Sequence, residues 1–163
     1  MKHLENLIKA SIGKIEDGKI DVYSYALYFD HESKRRISIC IDTKQNSILA
    51  VSKSNEFRQK YFIEFLDEGD FDSVKNFSFN SGRNYSLGDY KFRNMVSYEY
   101  SHDLDYSHSF ILGAIRAIIS LQDEITKFST DPEQVLFSCS TMEDEFGVSW
   151  FKITAPLPSI TTD

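Results

Sequence analysis

The sequence has few of the residues that cross-link a chain or divide it into pieces. Its 163 residues include 2 cysteines, 3 prolines, 7 glycines and 1 tryptophan. Cys40 and Cys139 each stand alone in a strand-like segment, without CxxC spacing, so we expect two buried free thiols in a reducing compartment. No linker-like stretch interrupts the chain. We therefore predict one domain over residues 1–154 and a flexible tail over residues 155–163.

Long apolar runs are also absent from the sequence. No segment approaches the roughly 20 apolar residues that a transmembrane helix needs. The first amphipathic stretch, 2–16, carries acidic residues and lacks the uninterrupted apolar centre of a signal peptide. We therefore expect a cytoplasmic protein that has no membrane partner.

Recognised catalytic and phosphate-binding motifs are missing too. The sequence contains no GxSxG elbow, no GxxxxGK[ST] loop, no GxGxxG and no HExxH. The segment His102–His108 has the densest set of metal-ligating side chains, but its spacing matches no zinc or calcium loop, and its acids would also suit the start of the following helix. We predict no catalytic residues, no cofactor and no metal, and whether this segment binds a metal stays open.

Positively charged residues are in deficit. The 18 Lys and Arg against 25 Asp and Glu give a net charge of −7. Nucleic acid is a polyanion, so this balance argues against a nucleic-acid partner, whereas a basic protein partner fits it. The acidic residues gather at the ends of predicted elements, where they form either solvated loops or contacts with such a partner.

The apolar pattern predicts an α+β domain with a mainly antiparallel sheet, helices packed on one face and a C-terminal β-hairpin. Helical periodicity covers 2–16, 55–66 (with Ser54 as N-cap) and 107–128; alternation predicts strands over 21–29, 35–42, 47–51, 90–100, 134–142 and 147–154. The 47–51 stretch is short enough to be helical instead, and 71–88 has no clear period. Strand 21–29 is apolar on both faces, which favours a central position. Trp150 fits the core better than an interface.

A family resemblance supplies the functional hypothesis. The strand YSYALYFD with Ala26-Leu27-Tyr28, the Asp42-Thr43 step, the long helix Phe110–Phe128 and the strand Val135–Ser140 occur in that order. In this order the chain resembles a bacterial family of small α+β proteins of uncharacterised function. Several such families occur beside polymorphic or contact-dependent toxins and look like immunity proteins. The resemblance implies a non-catalytic protein that binds a cognate toxin, with a nuclease as one candidate, and covers its active site.

Toxin contacts are then expected at acidic and aromatic residues near element ends, and the toxin domain should be basic. The candidates are Glu64, Asp67, Glu68, Asp70, Asp72, Tyr98, Tyr100, Asp103, Asp105, Tyr106, Glu143, Asp144, Glu145 and Phe146. Two other functions stay open: a regulatory or structural interaction domain without a toxin, and an enzyme of unrecognised type. The sequence gives neither the strand order nor the oligomeric state.

Overall fold

The computed structural model describes residues 2–30, 35–100, 108–141 and 147–154. Within them, the helices are α1 (Lys2–Gly18), α2 (Lys44–Glu68), α3 (Phe71–Asn76) and α4 (His108–Thr126), with short 3-10 turns at Leu87–Asp89 and Pro132–Gln134. The strands are β1 (Ser24–Asp30), β2 (Arg36–Asp42), β3 (Phe92–Glu99), β4 (Leu136–Thr141) and β5 (Val148–Phe151). None of the helices in these ranges is long and apolar enough to cross a membrane.

The five strands form one sheet in the order β3-β2-β1-β4-β5. The central position predicted for β1 is therefore confirmed. β1 pairs with β4 in parallel, and the other three pairings are antiparallel, so the predicted mainly antiparallel α+β fold is also confirmed. β4 and β5 pair antiparallel as the predicted hairpin requires. The connection expected for this hairpin, Glu143–Phe146, lies outside the described residues.

The two apolar faces of β1 pack into two separate hydrophobic clusters. Alternation along the strand sends Tyr25, Leu27 and Phe29 into the main core. There α1 and α4 pack on the same face of the sheet, and α4 buries the residues Ala114, Ala117, Ile118, Leu121 and Ile125. The opposite face of β1 joins a smaller cluster through Ala26, beside Tyr90. The sheet is thus covered on one side by two helices and on the other, in part, by the segment 83–90.

For 47–51, the predicted strand is wrong and the helical alternative is correct, and the N-cap predicted at Ser54 is wrong. Both lie inside α2, which begins eleven residues before the helix start that the sequence pattern suggested. Thr43 is the true N-cap, because its side chain accepts a hydrogen bond from the amide of Asn46 at 3.3 Å. Ser47 is then buried, and its hydroxyl accepts the amide hydrogen of Asn84 at 2.8 Å. The contacts of Thr43 and Ser47 favour a helix here, although residues 48–51 (ILAV) are apolar enough to form a strand.

The stretch 71–88, in which the sequence shows no period, contains a short helix. Gly69 ends α2 with a left-handed backbone (φ +71°), which glycine adopts without steric cost. Asp70 then caps α3 by accepting the amide hydrogen of Ser73 at 3.0 Å. The expectation that Trp150 belongs with the core is supported, since its half-buried ring stacks on Phe137 with centroids 6.0 Å apart.

Candidate protein-binding surface

A buried polar junction fixes the root of α2 against the sheet. Oδ1 of Asp42, the last residue of β2, accepts hydrogen bonds from the Thr43 amide (3.0 Å), the Asn46 side chain (2.8 Å) and the Lys91 amide (3.2 Å). These bonds favour the charged carboxylate, but burial disfavours it more strongly and raises the pKa of Asp42. The carboxylate is thus used to join the end of β2, the start of α2 and the approach to β3.

Arg83 performs a second structural task beside this junction. Its guanidinium lies 3.5 Å from the ring centroid of Tyr23 and donates to the carbonyl of Tyr23, the hydroxyl of Ser24 (3.0 Å) and the carbonyl of Gln134 (2.5 Å). Burial lowers the pKa of Arg83. A cavity of about 220 Å³ opens between residues 80–86 and α2. Its lining includes Ser54, Asn80, Arg83 and Tyr85. The hydrogen bonds of Arg83 already account for its position without a ligand.

Metal-binding chemistry receives no support in the described part of the chain. No group of three or more His, Cys, Asp or Glu side chains is placed there to hold an ion. The predicted metal-ligand candidate, the segment His102–His108, lies outside the described residues except for His108 itself.

Beyond its root, α2 packs through one side only. Phe62 and Phe65 contact the ring of Phe77, with centroids 5.2 and 6.3 Å apart. Arg58 lies 5.2 Å above the same ring and donates to the carbonyl of Ser78 at 2.9 Å. The segment 77–80 therefore runs back along one side of α2, and much of the remaining circumference faces solvent.

Large apolar side chains are exposed on more than one side of α2 and on α3. The exposed fractions are 72% for Phe71, 58% for Phe57, 52% for Leu66, 49% for Ile63 and 43% for Tyr61. A small pocket of about 140 Å³ lies where the two helices meet, and Phe65, Leu66, Phe71 and Val74 contribute its apolar lining. Leu66 and Phe71, which meet at this pocket, form an exposed apolar patch of the kind that is typical of a protein-binding site.

Carboxylates surround this apolar surface. Glu64, Asp67, Glu68, Asp70 and Asp72 follow one another without an intervening Lys or Arg. Hydrogen bonds from the Ser73 hydroxyl (2.6 Å) and amide lower the pKa of Asp70, which is thereby committed to capping α3. We call residues 63–74 the acidic tip. Five of the predicted contact residues are thus brought together there.

Two further predicted contacts that the structure describes, Tyr98 and Tyr100, do not lie at the acidic tip. Tyr98 pairs with Ile37 near the start of β2, whereas α2 follows the end of that strand. The Tyr98 ring stacks on His3 (5.2 Å) and meets Tyr100 edge-on (4.7 Å), and Tyr100 is half-buried against the main core. The remaining candidates, Asp103, Asp105, Tyr106, Glu143, Asp144, Glu145 and Phe146, lie outside the described residues.

Sequence reasoning missed the apolar part of this surface. Phe57, Tyr61 and Phe65 recur at steps of four and so form one column along α2, but of these three only Phe65 is covered by the 77–80 segment. One signal was available: the aromatic and aliphatic residues between 57 and 66 occupy most of the helix circumference, which is wider than one short segment can cover. Comparison of the chain with protein-family models, with curated proteins and with solved structures found no match.

Proposed function

We propose that this protein is a cytoplasmic immunity protein that binds a cognate bacterial toxin domain, with a nuclease as one candidate, and neutralises it by covering its active site. One observation carries the proposal: the exposed Phe71 and Leu66 lie among five carboxylates in the stretch 61–74, which contains no Lys or Arg. The resemblance of the YSYALYFD strand to toxin-immunity families supports the class of partner.

The chemistry of the acidic tip suits such a partner. Aromatic and aliphatic anchors that become fully desolvated supply most of the binding energy in protein interfaces, and a polar rim excludes water around them. A nuclease holds phosphates with Lys and Arg, so a surface that presents carboxylates beside such anchors can occupy the same groove. Inhibition by occlusion requires no catalytic residue in the inhibitor.

A regulatory or structural interaction domain would use the same surface. Such a domain also buries Leu66 and Phe71 against a partner, but it leaves the partner's activity intact. Loss of the partner's catalytic activity in the complex therefore separates the two functions.

The test begins with capture of a partner by the tagged protein from its own host, at low and then moderate salt. The purified partner is assayed for activity while the wild-type protein or a variant is added. Leu66→Ser tests the acidic tip. Leu112→Ser is the matched control, because both leucines lie on helices and are 52% exposed.

We expect the wild-type protein to abolish the partner's activity and Leu66→Ser to weaken binding by about tenfold, which corresponds to about 1.4 kcal/mol. Leu112→Ser should bind as the wild type does. Binding without inhibition would support the interaction-domain alternative instead. Equal effects of the two substitutions would show that the acidic tip is not the contact surface.

A further inference from the structure

The last turn of α2 carries charge of the sign that an α-helix disfavours there. The backbone dipoles make the C-terminal end of a helix negative, so cationic side chains stabilise this end and carboxylates weaken it. α2 runs for 25 residues to Glu68 and has no basic residue in its last turn. That turn contains Asp67 and Glu68, and Glu64 directly precedes it. The free protein therefore ends α2 with an arrangement of charge that lowers its stability.

No cation in the described ranges offsets these carboxylates. None of Glu64, Asp67 and Glu68 takes part in an ion pair there. Lys75, the next basic residue along the chain, lies in the last turn of α3, where it suits the C-terminal end of that helix instead. Lys60 lies four residues before Glu64, but a Lys that precedes a Glu is the weaker order for a helical pair.

The start of α3 does not supply the missing positive charge either. The N-terminal end of a helix is positive, and α3 begins at Phe71, three residues after Glu68. Asp70 already caps α3, however, and Asp72 lies in its first turn, so this end is matched by carboxylates of its own. The junction of α2 and α3 therefore holds negative charge that the described part of the chain does not neutralise.

An apolar pocket opens at the same junction. Its volume is about 140 Å³, and its lining consists of Phe65, Leu66, Gly69, Asp70, Phe71 and Val74. A methyl group built on Gly69 would meet no atom within 4 Å, so the backbone at the C-terminal end of α2 can be approached closely. Leu66 and Phe71 are 52% and 72% exposed. Exposed apolar surface and unneutralised negative charge thus lie side by side.

We propose that this pocket binds a Lys or Arg side chain of the protein partner. The methylene groups of such a side chain lie against Leu66 and Phe71, and its charged end lies at the negative end of α2, among the carboxylates of the acidic tip. The inference rests on the proposed function for the identity of the partner, and it names the group by which that partner is recognised.

Charge complementarity selects this occupant. A wholly apolar side chain would fill the pocket but leave the carboxylates of the last turn unneutralised, and an acidic side chain would add repulsion. A side chain with an apolar stem and a cationic end satisfies both parts of the site. It also removes the unfavourable electrostatic interaction at the end of α2. A nuclease holds phosphate groups with Lys and Arg, so the capture of one of them places the inhibitor at the substrate groove.

The first test uses the free protein and needs no partner. Glu68→Gln removes a carboxylate from the last turn of α2, and the matched control Glu5→Gln removes one from the first turn of α1, both at exposed sites. We expect the Tm to rise by about 1–4 °C in Glu68→Gln and to fall by a similar amount in Glu5→Gln. A Tm that does not rise in Glu68→Gln, or that rises equally in both variants, would overturn the proposal.

The second test measures binding of the cation itself. N-acetyl-arginine amide and its neutral isostere N-acetyl-citrulline amide are titrated into the isotope-labelled protein, and amide chemical shifts are followed by NMR. We expect the arginine probe to shift the amides of Leu66, Gly69 and Phe71 in a saturable way. The citrulline probe should bind about two- to fivefold more weakly, which is the range of one exposed ion pair. Glu68→Gln should weaken the arginine probe, and Glu5→Gln should not.

The two proposals fail in different ways. Equal binding of the two probes, no saturable shift at these amides, or an arginine affinity that Glu68→Gln leaves unchanged would overturn the cation site. The proposed function would survive these results if Leu66→Ser still weakened inhibition of the captured partner. Selective binding of the arginine probe without inhibition of any partner would support the cation site and contradict the immunity function.

Discussion

The hydroxyl of Ser11 and the phenol of Tyr25 form a buried hydrogen bond of 2.7 Å that joins α1 to the central strand. The direction of this bond follows from the neighbouring contact, in which Ser11 Oγ donates to the carbonyl of Ile8 at 2.7 Å. A serine hydroxyl has one hydrogen, so Tyr25 is the donor to Ser11. Burial raises the pKa of Tyr25, and the tyrosine is therefore neutral in the folded protein.

Replacing the acceptor should cost more than replacing the donor. Ser11→Ala leaves the phenol of Tyr25 without an acceptor in the main core, and we expect a loss of about 1–3 kcal/mol in the free energy of unfolding. Tyr25→Phe removes the donor, while Ser11 keeps its bond to Ile8, so a loss of about 1 kcal/mol is expected. Urea denaturation of the wild type, the two single variants and the double variant measures the interaction free energy between Ser11 and Tyr25. Strictly additive losses would contradict this account of the bond.

The elements with strong periodic burial are the ones that the sequence predicts well. The predicted strand 35–42 becomes Arg36–Asp42, and the predicted helix 107–128 becomes His108–Thr126. Their apolar faces pack against the main core, so the spacing of apolar residues along the sequence predicts which positions are buried. The parallel pairing of β1 with β4 joins segments more than a hundred residues apart, and no local pattern encodes it.

The start of α2 and the exposure of its aromatic residues depend on contacts that are distant in sequence. The first turn is fixed by Asp42, whose carboxylate also accepts the amide hydrogen of Lys91. Phe65 is packed and Phe57 exposed because the segment 77–80 passes one side of the helix and not the other. Sequence reasoning could therefore place the carboxylates of the acidic tip, but not the apolar residues between them.

The raised pKa of Asp42 predicts a specific pH dependence of stability. The folded protein holds the Asp42 proton to higher pH than the unfolded chain does, because burial disfavours the carboxylate. The resulting contribution is fully present below the ordinary aspartate pKa of about 4 and is lost as the pH rises through the folded-state pKa. Asp42→Asn cannot titrate, so the stability of the wild type relative to this variant should fall over that range.

Urea denaturation at a series of pH values from about 4 upward measures this difference. Asp67→Asn removes the same charge at an exposed site and is the matched control. The wild type should not show the same fall relative to Asp67→Asn. A difference between wild type and Asp42→Asn that stays constant would show that hydrogen bonding balances burial at this carboxylate, and one that grows as the pH rises would show that hydrogen bonding outweighs it. Either result would contradict the prediction.

Arg83→Lys should destabilise the protein although it keeps the positive charge. The planar guanidinium donates to the carbonyls of Tyr23 and Gln134 while it stacks on the Tyr23 ring, and an ammonium group cannot reproduce both contacts. We expect a loss of about 1–3 kcal/mol, because buried polar groups lose their partners. Arg116→Lys, at an exposed position of α4, should stay within about 0.5 kcal/mol of the wild type.

Hydrogen exchange can show which part of the sheet is loosened by Arg83→Lys. The carbonyl of Tyr23 also accepts the amide hydrogen of Leu136 at 3.2 Å, so loosening this carbonyl should expose the start of β4 first. We expect the Leu136 amide to exchange faster in Arg83→Lys than in the wild type, while amides in the middle of α1 change only as global stability does. Unchanged stability together with unchanged exchange at Leu136 would mean that Arg83 does not hold this end of the sheet.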